Sequence, residues 1–134
     1  SEETLLDARA CTCCQTSATR TGSGKVLVAY RDRTEAEVRD ISVLALADGI
    51  WSEPAPVSRD GWVIEGCPVN GPAIDSRGAR VAVAWFTAAD DVPAVKVAFS
   101  DDDGVTFQPA VRIDRGAPTG RVDLLQLADG SALA

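Results

Sequence analysis

Four cysteines and one arginine-rich connector carry most of the reactive side chains in this sequence. Cys11, Cys13 and Cys14 stand together in "CTCCQT", and Cys67 stands apart in "GCPVNGP". Three arrangements suit four thiols so placed. One is a disulfide joining a member of the C-x-C-C run to Cys67, which requires an oxidising compartment. A second is a cage of four thiolates around zinc or another soft ion. The third is a set of free buried thiols. The first is preferred, and no metal is assigned: zinc ligands usually come in pairs about two to four residues apart, a spacing that C-x-C-C does not keep. The neighbours Cys13 and Cys14 bond to each other only with strain.

The connector is "YRDRTEAEVRD", with Arg31, Asp32, Arg33, Glu35, Glu37, Arg39 and Asp40 crowded behind an apolar run. Alternating signs in a solvated loop are one reading. The other is a rim site. Guanidiniums there fork onto a carboxylate or sulfate, and a neighbouring carboxylate acts as acid or base. Arg31, Asp32, Glu37 and Arg39 are the candidate catalytic residues on that reading. The chain has no histidine, so Ser-His-Asp and Cys-His catalysis are excluded within it.

A third motif, "SDDDGVTF" (Ser100 to Phe107), places three acids before a glycine and an aromatic. An EF-hand calcium loop with Gly104 at its turn would begin at Phe99 and end at Ala110, neither of which can ligate calcium. A hairpin fits better. Ser100 and Asp102 accept turn amides, Gly104 takes positive φ, Thr106 favours the new strand and Phe107 returns to the core. "LADGIW" is a shorter, worn version of the same turn.

The elements that must position these residues are strands. "KVLVAY", "ISVLAL", "RVAVAWF" and "VKVAF" are rich in β-branched and aromatic residues and bounded by Gly, Asp, Pro and Ser. No long segment keeps a helical period. The pattern also repeats. Tyr30 aligns with Trp85, and "EPAPVSRDG" with "QPAVRIDRG", at one and the same offset. Four antiparallel strands every ~50 residues is the signature of β-propeller blades. The alternative is a β-sandwich, which also spaces short strands regularly. The expected architecture is therefore all-β: the last strand of one blade over residues 1–10, full blades over 14–60 and 70–116, and the start of another over 121–134.

"CTCCQTSA", "YRDRTEAEVRDI", "GCPVNGPAI", "VAVAWFTA" and "VAFSDDDGVTF" together resemble the sialidase-like, BNR/Asp-box repeat propellers of bacteria, within them a C-x-C-C subgroup. The resemblance runs through nearly the whole chain. It implies a six-bladed propeller, a secreted or periplasmic setting, and a glycan as partner; an enzyme of this kind would be an exo-alpha-sialidase type of glycoside hydrolase. Such enzymes use three arginines, a Tyr–Glu nucleophile pair and an Asp acid/base. Tyr30, the one tyrosine here, lies in a strand like Trp85 and reads as core. No Arg-Ile-Pro motif is present and no arginine triad can be assigned. The box residues Ser100, Asp102, Gly104, Thr106 and Phe107 are structural in this family. The expectation is a sialidase-like chain that is inactive alone, with a non-catalytic binding or assembly module as the alternative.

Composition bounds the rest. With 134 residues the chain has the length of about one domain. Closing a propeller at this repeat size takes roughly 300 residues. The chain is expected to be part of a longer propeller or to close it as a homo-oligomer. The net charge of −7 argues against nucleic acid as partner. No apolar run spans a membrane, no signal peptide is visible, and no cofactor is expected. The two lysines, Lys25 and Lys96, against many arginines suggest a GC-rich bacterial gene.

Overall fold

The computed structural model describes residues 3–134. The chain is all-β, with antiparallel sheets and, among the described residues, no α-helix. The first sheet is a meander of β1 (Ser17–Arg20), β2 (Val26–Arg31) and β3 (Ile41–Ala47), followed by β4 (Ile50–Trp51) and β5 (Ala55–Pro56). Both β4 and β5 pair with β3, so the fourth row is interrupted. Pro54 cannot donate to a ladder, and Ser52 fills the gap by giving its N–H to Ala45 O and accepting Ala45 N–H on its Oγ. The second sheet is the meander β6 (Ala73–Arg77), β7 (Arg80–Thr87), β8 (Ala94–Ser100) and β9 (Val111–Arg112). A two-stranded sheet of β10 (Leu125–Gln126) and β11 (Ala132–Leu133) follows.

Strand periodicity explains how the sheets face one another. Successive side chains point to opposite faces. Val81, Val83 and Trp85 of β7 enter one core with Leu27, Ala29, Ile41 and Val43 of the first sheet. Ala82 and Ala84 enter a second core with Val97 and Leu124. With both faces covered, β7 is buried from Val81 to Thr87, which is why it reads as an unbroken apolar run. The first strands of the three sheets are also linked in series. Ser17 Oγ accepts Ile74 N–H at 3.3 Å, the Thr19 and Ser76 hydroxyls meet at 2.8 Å, and Asp75 accepts Gln126 N–H at 2.7 Å.

Ser100–Phe107 closes the β8–β9 connection as a turn built on its own side chains. Asp102 Oδ1 accepts Thr106 N–H at 2.9 Å and Val105 N–H at 3.1 Å, and Oδ2 accepts the Thr106 hydroxyl at 2.5 Å. Ser100 Oγ accepts Gly104 N–H at 3.0 Å and donates to Asp102 at 2.7 Å. The Thr106 hydroxyl first, and these amides with it, hold the Asp102 carboxyl far below its ordinary range. Gly104 has φ +75°, and a Cβ there would sit 2.6 Å from Leu27 Cδ1. The box thus locks the second sheet against the first, and Phe107 packs on the shared core. In "LADGIW" the two-residue turn Asp48–Gly49 has φ of 51° and 78°, the left-handed pair that a tight hairpin demands.

One expectation is not met. Residues 3–9 form no strand, and Ala10 makes only an isolated bridge to Asp32. A strand is held by its ladder, and none of the described segments offers these residues one. Residues 1 and 2 of that expected element lie outside the described part.

Candidate functional site

The β1–β2 hairpin puts the segment before β1 level with the segment after β2. As a result the cysteine run and the arginine-rich connector, separate in sequence, meet at one end of the first sheet. Residues 37–39 are fixed there from the other side. Arg39 N–H donates to Trp62 O at 2.8 Å, Ile64 N–H donates to Glu37 O at 3.1 Å, and Val38 bridges Val63.

Arg31 ends β2 and is 2% exposed. Its Nε donates to Asn70 O at 2.7 Å, Nη1 to Arg39 O at 2.5 Å and Nη2 to Phe86 O at 2.7 Å. Trp62 lays its ring 4.9 Å from the guanidinium carbon, and Phe86 meets Trp62 edge-on at 5.6 Å. Burial draws the Arg31 pKa down from its ordinary value, although a guanidinium stays protonated at neutral pH. This placement corrects the expected rim role. A buried guanidinium tied to three backbone carbonyls offers no open edge to a solvent-borne carboxylate. It instead ties the connector, the Asn70 segment and the end of β7 together.

The other three candidates are likewise engaged within the chain. Asp32 accepts Arg33 N–H at 2.6 Å and the Ser42 hydroxyl at 3.2 Å. Glu37 is gripped by Arg33 Nη2 at 2.8 Å and by Arg39 Nη2 at 2.7 Å. Those two guanidiniums, Arg33 first, hold its carboxyl at about 2. A group that acidic is a poor proton carrier near neutrality. Arg39 is 5% exposed, and its Nε is buried without a partner. Its pKa is raised: burial opposes the charge, but Glu37 and Cys11 outweigh it. Tyr30 is buried as expected, and its hydroxyl donates to Asp7 at 2.5 Å. Burial, then that carboxylate, pushes the phenol well above its ordinary range, the opposite of what a nucleophile needs.

Cys13 and Cys67 form a disulfide across a sequence separation of 54, with Cα atoms 6.2 Å apart. It joins the segment before the first sheet to the segment before the second, the link preferred from the sequence. Cys11 and Cys14 are free, their sulfurs 3.2 Å apart. Cys11 is buried, receives Arg39 Nη1 at 3.2 Å, and lies 3.5 Å from Cys13 Sγ. Burial raises the Cys11 pKa, but hydrogen bonds from Cys14 and Arg39 reverse that and leave it lowered; Cys14, first by burial and then by Cys11, is raised. The Cys11, Cys13 and Cys14 sulfurs lie within 4.8 Å of one another. A cage of four thiolates is nevertheless overturned, because Cys13 and Cys67 have spent their sulfurs on each other.

The contact of Arg39 with Cys11, and the Trp62 ring on Arg31, were not foreseen. The hairpin register carried the signal for the first; nothing local marks the second. Neither a family model nor a curated protein matches the chain.

Proposed function

We propose that this chain is a piece of a sialidase-like propeller that serves as a binding and assembly module and has no hydrolytic centre of its own. The observation that carries this is Arg31. The best-placed guanidinium for gripping an acidic sugar is buried at 2% exposure and bonded to Asn70, Arg39 and Phe86 carbonyls. Arg39 and Glu37 are spent on the same knot, Asp32 is held by Arg33 N–H and the Ser42 hydroxyl, and Tyr30 is masked.

The propeller reading draws support from two successive meanders of matching order and from the serial links between their first strands. That is the arrangement blades require around a common axis. Assembly draws support from the apolar groove of about 390 Å³ between the second sheet and β10–β11, where Val111, Ile113 and Leu133 remain exposed. Its occupant on this reading is a further four-stranded unit of the same kind, from the rest of a longer chain or from a second copy. The Cys13–Cys67 bond supports a secreted or periplasmic location. A glycan partner rests on the motif resemblance alone.

Sedimentation equilibrium at micromolar concentration tests the assembly. Concentration-dependent association that weakens in Leu133→Glu is expected. A monomer at every concentration contradicts it.

A further inference from the structure

We propose that the four cysteines form a thiol–disulfide exchange centre, in which Cys11 attacks Cys13 and releases the exposed sulfur of Cys67. Three observations place the parts. Cys11 Sγ stands 3.5 Å from a sulfur of the Cys13–Cys67 bond. Arg39 Nη1 stands 3.2 Å from Cys11 Sγ, where it favours the thiolate, the form that attacks. Cys14 Sγ stands 3.2 Å away, in position to resolve the product.

The step needs no outside oxidant. The Cys11 thiol gives its proton to solvent. Its thiolate forms a bond to Cys13 Sγ as the Cys13–Cys67 bond breaks, and Cys67 leaves as a thiolate that takes a proton from water. Cys14, deprotonated in turn, attacks Cys11 and displaces Cys13, leaving a local Cys11–Cys14 disulfide. One disulfide and two thiols are present throughout. What changes is where the bond lies: first it ties two sheets together, then it lies within C-x-x-C. Cys67 is exposed in the folded chain. Its released thiolate can therefore form a mixed disulfide with an external disulfide.

Burial serves this chemistry. Cys11 is shielded from reagents in solution but not from its neighbour, so the internal reaction is favoured over alkylation or oxidation. Arg39 touches the sulfur that reacts, and Glu37 is the positioning residue that fixes Arg39 at 2.7 Å.

The test traps the exchange. The purified chain, free of reductant, is incubated with N-ethylmaleimide at pH 8 and digested with trypsin, which isolates residues 10–20 from residues 60–77. Exchange yields a maleimide on Cys67, with an internal disulfide and one maleimide on the 10–20 peptide. The 60–77 peptide should gain label with time. Arg39→Met should slow that gain roughly several-fold, because the cation that favours the attacking thiolate is gone, and Arg39→Lys should restore most of it. Cys11→Ser should abolish it while leaving the two peptides linked. If the peptides stay cross-linked throughout, with both labels on residues 10–20, the proposal is overturned. Labelling of Cys67 at an unchanged rate in Arg39→Met, or isolation of the protein with four thiols and stoichiometric zinc, also overturns it. Circular dichroism of each variant separates lost folding from lost exchange.

Discussion

Three carbonyl oxygens from three segments converge on Arg31, and truncating that side chain strands all of them in the interior. Each buried acceptor left without a donor costs about 1–3 kcal/mol, not additively. Arg31→Met is expected to lower unfolding free energy by at least about 2 kcal/mol, read by urea denaturation with the disulfide intact. An unchanged midpoint would deny the clamp role. Glu37 gives a second test at this scale, in pH. Its carboxyl is held at about 2 against an ordinary 4.5. A depressed carboxyl contributes stability that is present above its unfolded pKa and is lost as pH falls through the folded one. The contribution of Glu37 should therefore fade between about pH 4.5 and about pH 2. Glu37→Gln should flatten the acid limb of the melting-temperature profile in that window and lower the plateau above it. A parallel shift at all pH values would contradict the pairing.

At the scale of elements, Gly104 ties turn chemistry to sheet packing. Its φ is +75°, and a Cβ there lies 2.6 Å from Leu27 Cδ1. Alanine at an incompatible positive φ costs more than about 1 kcal/mol before any clash is counted. Gly104→Ala should exceed that in thermal denaturation, and Leu27→Ala in the same background should recover part of the clash. Full additivity of the two changes would show that they do not touch. The turn itself was legible because its chemistry is local: Ser100, Asp102, Gly104 and Thr106 bond within seven consecutive residues. The long strands were legible for a similar reason, since β7 and β8 announce themselves by composition. The split of the fourth row at Ser52–Pro54 was not, because β4 and β5 are two residues each and hold only by pairing with β3. Nor was the fate of Arg31. Its partners Asn70 and Phe86 stand 39 and 55 residues away, and only the stacking of one sheet on the next brings their carbonyls to it.

For the whole molecule, the Cys13–Cys67 bond spans the two sheets. Closing a loop with a separation of 54 residues is valued by the chain-entropy model at about 4 kcal/mol. Cys67→Ser should cost a large part of that in equilibrium unfolding, a cost that a bond confined to one sheet would not show. The sheets themselves leave Leu125 and Leu133 more than half exposed, which accords with a unit that meets others. The central proposal is that this chain serves in binding and assembly rather than in hydrolysis. Its acidic and basic candidates form a structural knot, and the loss of even one electrostatic partner costs an active site roughly a hundredfold in rate. The direct measurement is turnover of a fluorogenic sialoside by the purified chain across its association range. The account predicts no release above background. Turnover that vanishes in an Asp32→Asn variant with unchanged folding would contradict it.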